Sequence, residues 1–228
     1  MGHAAATLRL LALALLLVLG AAFAAPAGAM AMTFQMVTLG VGHCGSKCPQ
    51  VIAASGEIDE GSAESFLQFV YEHVHSGAMH GIVLLDSPGG HVVAAMELGQ
   101  TIRSLGMAVI VARPGVESAA TGDLFSGKCY SACVYALMGG RKRVIPPQSK
   151  VGVHRMFNYT TNFSLADGGF VRERYLDDGD MRDKLARYTT MMGISSGLIS
   201  LAEHTSPDVI HVLTPAEIAR WRLGARKL

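Results

Sequence analysis

The chain has 228 residues, half of them hydrophobic, with 26 glycines and a formal net charge of +1. That is enough chain for one sizeable core, and the composition is too apolar for a disordered polymer. The near balance of 19 basic and 18 acidic residues excludes partners held by bulk charge, nucleic acid among them.

Residues 1–29 stand apart. Arg9 precedes an apolar run from Leu10 to Ala25 that ends in small residues. Ala22-Phe23-Ala24 and Ala27-Gly28-Ala29 both fit a small-x-small cleavage site. This is the pattern of a secretory signal peptide, and it predicts a periplasmic or secreted protein. The alternative is an N-terminal membrane anchor, for which the run is somewhat short. With the leader cleaved, no stable membrane insertion is expected, and the basic and acidic residues balance at 18 each. Residues 30–228 carry no repeat, low-complexity tract or linker, so they are expected to form one domain.

All four cysteines, Cys44, Cys48, Cys129 and Cys133, follow the leader. In an exported chain disulfides are the default, and four cysteines allow three pairings. His43-Cys44 with Cys48 matches no standard zinc spacing, so a disulfide is expected there and no metal.

In chain order, Phe34–Gly42 reads as a first strand or an extended arm, and Gln50–Glu57 as a short strand running into a turn. Gly61–His75 carries Phe66, Leu67, Phe69, Val70 and Val74 at helical spacing, which predicts an amphipathic helix. Gly81–Asp86 is a continuous apolar run, as expected of a strand buried on both faces. It stops at Ser87-Pro88-Gly89-Gly90. His91–Leu105 is again helical, with Gly106 as its end signal, and Met107–Ala112 is another buried strand. This alternation argues for parallel βαβ units in an α/β domain.

Arg113–Lys128 reads as a loop. Ser131 and an apolar helix follow, closing at Gly139-Gly140. Arg143–Ile145 is a short strand broken by Pro146-Pro147, and Val151–His154 is the next strand. Asn158–Gly169 is polar and predicts an exposed loop, while Val171–Met192 is charged and helix-prone. Ser196–His204 and Pro215–Leu223 read as closing helices, the second with Thr214 as N-cap and Pro215 at its first position.

Three features carry chemistry. Ser131 sits where a helix begins, and backbone N–H groups there favour negative charge. It is a candidate nucleophile, and equally a candidate N-cap of a core helix. Gly89-Gly90 lets backbone approach a ligand closely and leaves N–H groups free to donate. His154 ends a buried strand, where it could serve Ser131 as general base or be a satisfied polar residue. A third group would orient the imidazole. Candidates lie in Glu203–Asp208, with Asp208 the choice.

These pieces, in this order, resemble the Clp-type serine peptidases of the ClpP/crotonase fold. Ser87–Gly90 resembles the family's oxyanion turn. Cys129-Tyr130-Ser131-Ala132 resembles its nucleophile step, Val153-His154 its catalytic-His strand, and Leu213–Glu217 the segment just beyond its catalytic Asp. The likeness spans about Val51 to Gly224, and is strongest to an exported branch with a Cys-x-Ser-Ala-Cys pattern around the Ser. It implies a spiral of ββα units and a serine peptidase that is ATP-independent in itself and needs no cofactor.

The resemblance also implies roles. Ser131 would attack a peptide carbonyl, His154 would shuttle its proton, and Asp208 would hold His154. Gly90 and Ala132 would donate to the oxyanion. A peptide or protein substrate would pair with backbone around Gly89, Gly90, His91 and Val92 as an added strand. By direct count the family's acid falls on Ile210 or His211, and Asp208 needs a small shift. Related exported peptidases use a Ser-Lys pair, for which Lys150 and Lys184 are available. Cys129 and Cys133, if bonded, would stiffen the nucleophile step. The family's helical handle falls at Val171–Met192, and self-assembly into a homo-oligomer is implied. Two other functions remain open: a catalytically inactive scaffold or peptide-binding protein, and an acyl-CoA enzyme of the same fold, which export disfavours.

Overall fold

The computed structural model describes residues 30–40, 48–76, 79–115, 122–166, 168–176 and 179–227. The expected leader and Cys44 lie outside the described residues. Strand β1 (Thr33–Thr38) runs antiparallel to β2 (Gln50–Ser55). Helix α1 (Ser62–His73) follows and buries Phe66 and Val70, while Leu67 and Tyr71 stay exposed. Phe66 meets Phe34 of β1 with ring centroids 5.3 Å apart. Burying one such ring is worth roughly 1.5–3 kcal/mol.

The chain then returns as β3 (Met79–Asp86), parallel to β2. Val83, Leu84 and Leu85 are buried in succession, so both faces of β3 are covered. Helix α2 (Val92–Ser104) leads to β4 (Ala108–Ile110), parallel to β3. Strand β8 (Arg143–Val144) completes a five-stranded sheet in the order β1-β2-β3-β4-β8. The predicted βαβ units are therefore present. The chain end closes this sheet where Ala225 bridges Val144.

Three stretches differ from expectation. The stretch read as a loop, Arg113–Lys128, contains strands. A hairpin joins β5 (Ala112–Pro114) to β6 (Leu124–Ser126), and β7 (Lys128–Tyr130) follows. The strand expected through Ala112 accordingly stops at Ile110. Each of these pieces is three residues long, too short to show an alternation, and its pairing comes from distant segments. Strand β7 pairs in parallel with β9 (Lys150–Val153), which pairs antiparallel with β12 (His211–Val212).

The other two differences are adjacent. Asn158–Gly169 is not a loop, and the helix expected from Val171 starts nine residues later. Strands β10 (Phe157–Ser164) and β11 (Gly169–Leu176) form an antiparallel hairpin, and helix α4 (Asp180–Met191) comes after it. Asn and Thr disguise β10 as a loop, and Arg and Glu disguise β11 as helix. What holds the hairpin is cross-strand: Phe163 against Phe170 at 5.4 Å, and the Arg172 guanidinium 3.7 Å from the Tyr159 ring centre. Helices α5 (Gly197–Glu203) and α6 (Pro215–Arg220) close the chain as expected. Thr214 caps α6 in a reciprocal box with Glu217.

The short helix α3 (Cys133–Met138) is buried along its whole length. It crosses α2 at Gly99 and Gly139, where the backbones touch. A Cβ at position 99 would run into Tyr188 Oη and lie 2.7 Å from Tyr135 O. Those two groups are themselves joined, Tyr188 donating to Tyr135 O at 2.8 Å. Gly99→Ala is therefore expected to cost about 1–3 kcal/mol of stability, read as a lowered Tm in thermal unfolding. An unchanged Tm would mean that α2 and α3 can separate freely.

Candidate active site

The site begins where β3 ends. The Ser87 hydroxyl is buried and accepts a hydrogen bond from Gly89 N at 3.1 Å, tightening the turn. Ser87 also joins the two sheets. Its N–H donates to Lys128 O at 2.7 Å, and its carbonyl accepts from Tyr130 N at 3.1 Å. Gly89 and Gly90 have φ of +114° and +133°, a region L side chains rarely enter. Space forbids a side chain too. A Cβ on Gly89 would lie 2.8 Å from both Ser131 Cβ and Tyr130 O, so the turn's backbone rests directly on the Ser131 step.

Ser131 occupies the junction of β7 and α3 with φ +55°, a left-handed conformation shared among the described non-glycine residues only by Arg222. Such a conformation costs on the order of 1 kcal/mol and persists only when neighbours impose it. Ser131 N donates to Gly152 O at 2.9 Å, and Ser131 O accepts from Val134 N at 3.1 Å. A disulfide between Cys129 and Cys133, both fully buried, closes the step from either side. The N-cap of α3 is Ala132, and the helix has no side-chain cap bond. The reading of Ser131 as an N-cap is thereby corrected: its left-handed backbone puts it one residue ahead of the N-cap.

His154 follows β9. The register Tyr130↔Gly152 brings Ser131 and His154 to the same end of two adjacent parallel strands. His154 Nδ1 lies 2.8 Å from Arg155 O. In the neutral ring Nδ1–H donates there, which leaves Nε2 with its lone pair. No hydrogen bond joins Ser131 Oγ to His154 among the described residues. The carbonyl that orients His154 is itself held. Arg155 N donates to Thr205 O at 2.9 Å, and Arg155 Nε lies 3.4 Å from Glu203 Oε2.

No hydrogen bond joins Asp208 to His154 among the described residues. Its carboxylate takes a two-pronged contact from Arg174 of β11, at 2.6 and 3.2 Å. That hydrogen bond, and after it the charges of Arg174 and His154, hold the Asp208 carboxyl below the usual carboxylate range. The pair is thus formed at neutral pH and lost as pH falls through the lowered value. Asp208 is 64 % exposed, so water and salt screen it. Ile210 and His211, where the family's acid falls by count, supply no carboxylate. His211 Nε2 turns to Glu217 Oε1 at 3.0 Å.

Among the described residues neither lysine makes a hydrogen bond to Ser131. Lys184 is exposed on α4. Lys150 opens β9 opposite Lys128, three residues back from Ser131 along β7, or about 10 Å. No cluster of three or more metal-ligating side chains occurs among the described residues. Cys48 is buried, but the expected Cys44–Cys48 bond involves a residue outside the described ones.

No family model matches the chain, and no curated protein does. Solved structures do match. A serine-to-alanine mutant of 1510-N, a membrane-bound stomatin-specific protease, aligns with a TM-score of 0.51 and 20% identity, over 77% of this chain and 78% of that one. This chain has the ClpP-like peptidase fold. A lysine-to-alanine mutant of the same protease, in complex with a substrate peptide, aligns with a TM-score of 0.49 and 20% identity, over 77% and 74% of the two chains.

On this ClpP-like fold two backbone donors are left over. Among the described residues, neither Gly90 N nor Ala132 N donates to a protein acceptor. A Cβ on Gly89, the residue before Gly90, would lie 3.2 Å from Ala132 N. The extended stretch expected over Gly89–Val92 is shorter than that. Val92 already begins α2, and one edge of Gly89–His91 is occupied by Ile58. Ile58 N donates to Gly89 O at 2.8 Å, and His91 N to Ile58 O at 2.7 Å. Sequence reasoning missed the wall beside His154. Phe157 packs 5.9 Å from the imidazole, and Arg174 covers Phe157 at 5.1 Å on its way to Asp208. Both residues lie in the hairpin misread as loop and helix.

Proposed function

We propose that this chain is an exported serine peptidase, with Ser131 as nucleophile and His154 as general base. One observation carries the reading. Ser131 is held in a left-handed turn, beneath Gly89, at the strand end beside His154. No side-chain cap bond from Ser131 to α3 accounts for that strain.

The chemistry follows from the atoms. Ser131 Oγ attacks the peptide carbonyl while His154 Nε2 takes its proton. His154 then gives the proton to the leaving amine, and water releases the acyl group by the same route reversed. The Arg155 carbonyl fills the place of a third member by holding the Nδ1–H tautomer. Asp208 contributes only field, through its charge near His154. Gly90 N and Ala132 N receive the developing oxyanion. The substrate backbone lies along the free side of Gly89–His91.

The protease bearing the same fold supports this class of reaction. Export is proposed from the leader pattern of residues 1–29, and the Cys129–Cys133 bond accords with an oxidising compartment. Self-assembly is proposed through the β10–β11 hairpin, whose Phe163, Leu165 and Phe170 are exposed.

Labelling of the leaderless, oxidised protein with a fluorophosphonate tests the site. The expected adduct maps to Ser131 and disappears in His154→Ala. In Asp208→Asn the labelling rate is expected to fall less than about tenfold, because the Arg155 carbonyl still orients the ring. A far larger loss there would restore Asp208 as the orienting group. An adduct that needs Lys150 or Lys184 instead of His154 would replace the base. No adduct on folded protein would favour a silent peptide-binding scaffold.

A further inference from the structure

A cavity of about 450 Å³ opens beside β7, lined by Asp86, Arg113, Lys128, Tyr130, Gln148 and Lys150 among others. Its charge is lopsided. Three cations face one carboxylate, and Asp86 already accepts a hydrogen bond from Lys128 N at 2.7 Å. None of the three cations makes an ion pair among the described residues. Lys128 and Lys150 are direct partners in the β7–β9 register. Like charges placed opposite each other on a sheet are destabilising. The fold tolerates that arrangement where a hydrogen-bond donor, Gln148, and a phenol, Tyr130, line the same space. All of this suits a bound anion.

The cavity's position says which anion. Tyr130 precedes the nucleophile directly, and Lys128 lies about 10 Å back along the strand. Three residues of extended peptide span the same distance. We propose that this cavity binds a carboxylate of the peptide substrate about three residues from the scissile bond, and so selects acidic substrates. The proposal rests on the peptidase reading of Ser131. The carboxylate has two chemical sources, an Asp or Glu side chain or the peptide's own C-terminus.

Two matched peptide pairs test it: Glu against Gln in a capped peptide, and a free C-terminal acid against its amide. Wild type is expected to cleave the carboxylate member of one pair about tenfold faster in kcat/KM. A difference in the first pair identifies a side chain, and in the second a terminus. The preference should fall to less than about twofold in Lys128→Gln/Lys150→Gln. Raising salt from about 0.05 to 0.5 M should shrink it too. Equal cleavage within both pairs, or a preference untouched in the variant, overturns the proposal.

Binding of the same peptides to Ser131→Ala, followed by fluorescence anisotropy, separates this from the peptidase reading. Tighter binding of the carboxylate member, lost on adding Lys128→Gln/Lys150→Gln, supports the cavity even if no peptide is ever cleaved. Equal binding, or none, overturns it.

Discussion

Replacing Ser131 with alanine is expected to lower peptide hydrolysis by about 10⁴-fold or more, with Tm changed by no more than a few degrees. The two halves of that result test different things. Alanine keeps the Cβ that packs against Gly89 and the same left-handed strain, so the fold has no reason to respond. Only the hydroxyl is lost. If Ser131 Oγ and His154 Nε2 act as one unit, adding His154→Ala to Ser131→Ala should reduce the rate no further. A multiplicative loss in the double variant would mean that His154 works on something other than the Ser131 proton. Hydrolysis that survives Ser131→Ala would move the nucleophile elsewhere.

Removing the disulfide as Cys129→Ala/Cys133→Ala is expected to do the reverse, damaging both stability and rate. The bond spans four residues in sequence. Closing so short a loop is worth about 2 kcal/mol by chain entropy, or a fall in Tm of roughly 4–8 °C for a chain of this size. The rate should fall further than stability alone explains, by about 100-fold at a temperature where the protein stays folded. The reason is placement. The bond ties the end of β7 to the first turn of α3, and the strained Ser131 lies between. Dithiothreitol applied to the native wild type should reproduce the loss, and reoxidation should restore it. Full activity in the reduced protein would show that Gly89 and Gly152 hold Ser131 unaided.

Much of the fold was legible in the sequence, and for identifiable reasons. The 3.6-residue spacing of Phe66 and Val70 marked α1. The unbroken run through Leu84 and Leu85 marked a strand covered on both faces. Thr214, Pro215 and Glu217 spelled out a helix start that the structure repeats bond for bond. In the site, Ser87–Gly90 was readable because two adjacent glycines after a buried strand have few uses. Strands β5, β6 and β7 were not readable, since three residues cannot show a period. The β10–β11 hairpin was misread because its stabilising pairs, Tyr159 with Arg172 and Phe163 with Phe170, are made across the turn and not along the chain.

The division between the two kinds of information is physical. By itself the sequence determined what depends on neighbours in the chain: helix periodicity, caps, buried runs, the turn at Gly89-Gly90, and cysteines placed four apart around a serine. Tertiary structure alone decided what depends on residues far apart. It put Ser131 in a left-handed turn under Gly89, turned His154 Nδ1 to the Arg155 carbonyl, and drew Asp208 to Arg174. It also set Lys128 against Lys150. A carboxylate a few residues from the counted position looks like a catalytic acid in one dimension. In three, the arginine of a hairpin that no local pattern announces reaches it first, because a two-pronged charged hydrogen bond outweighs a place in the sequence.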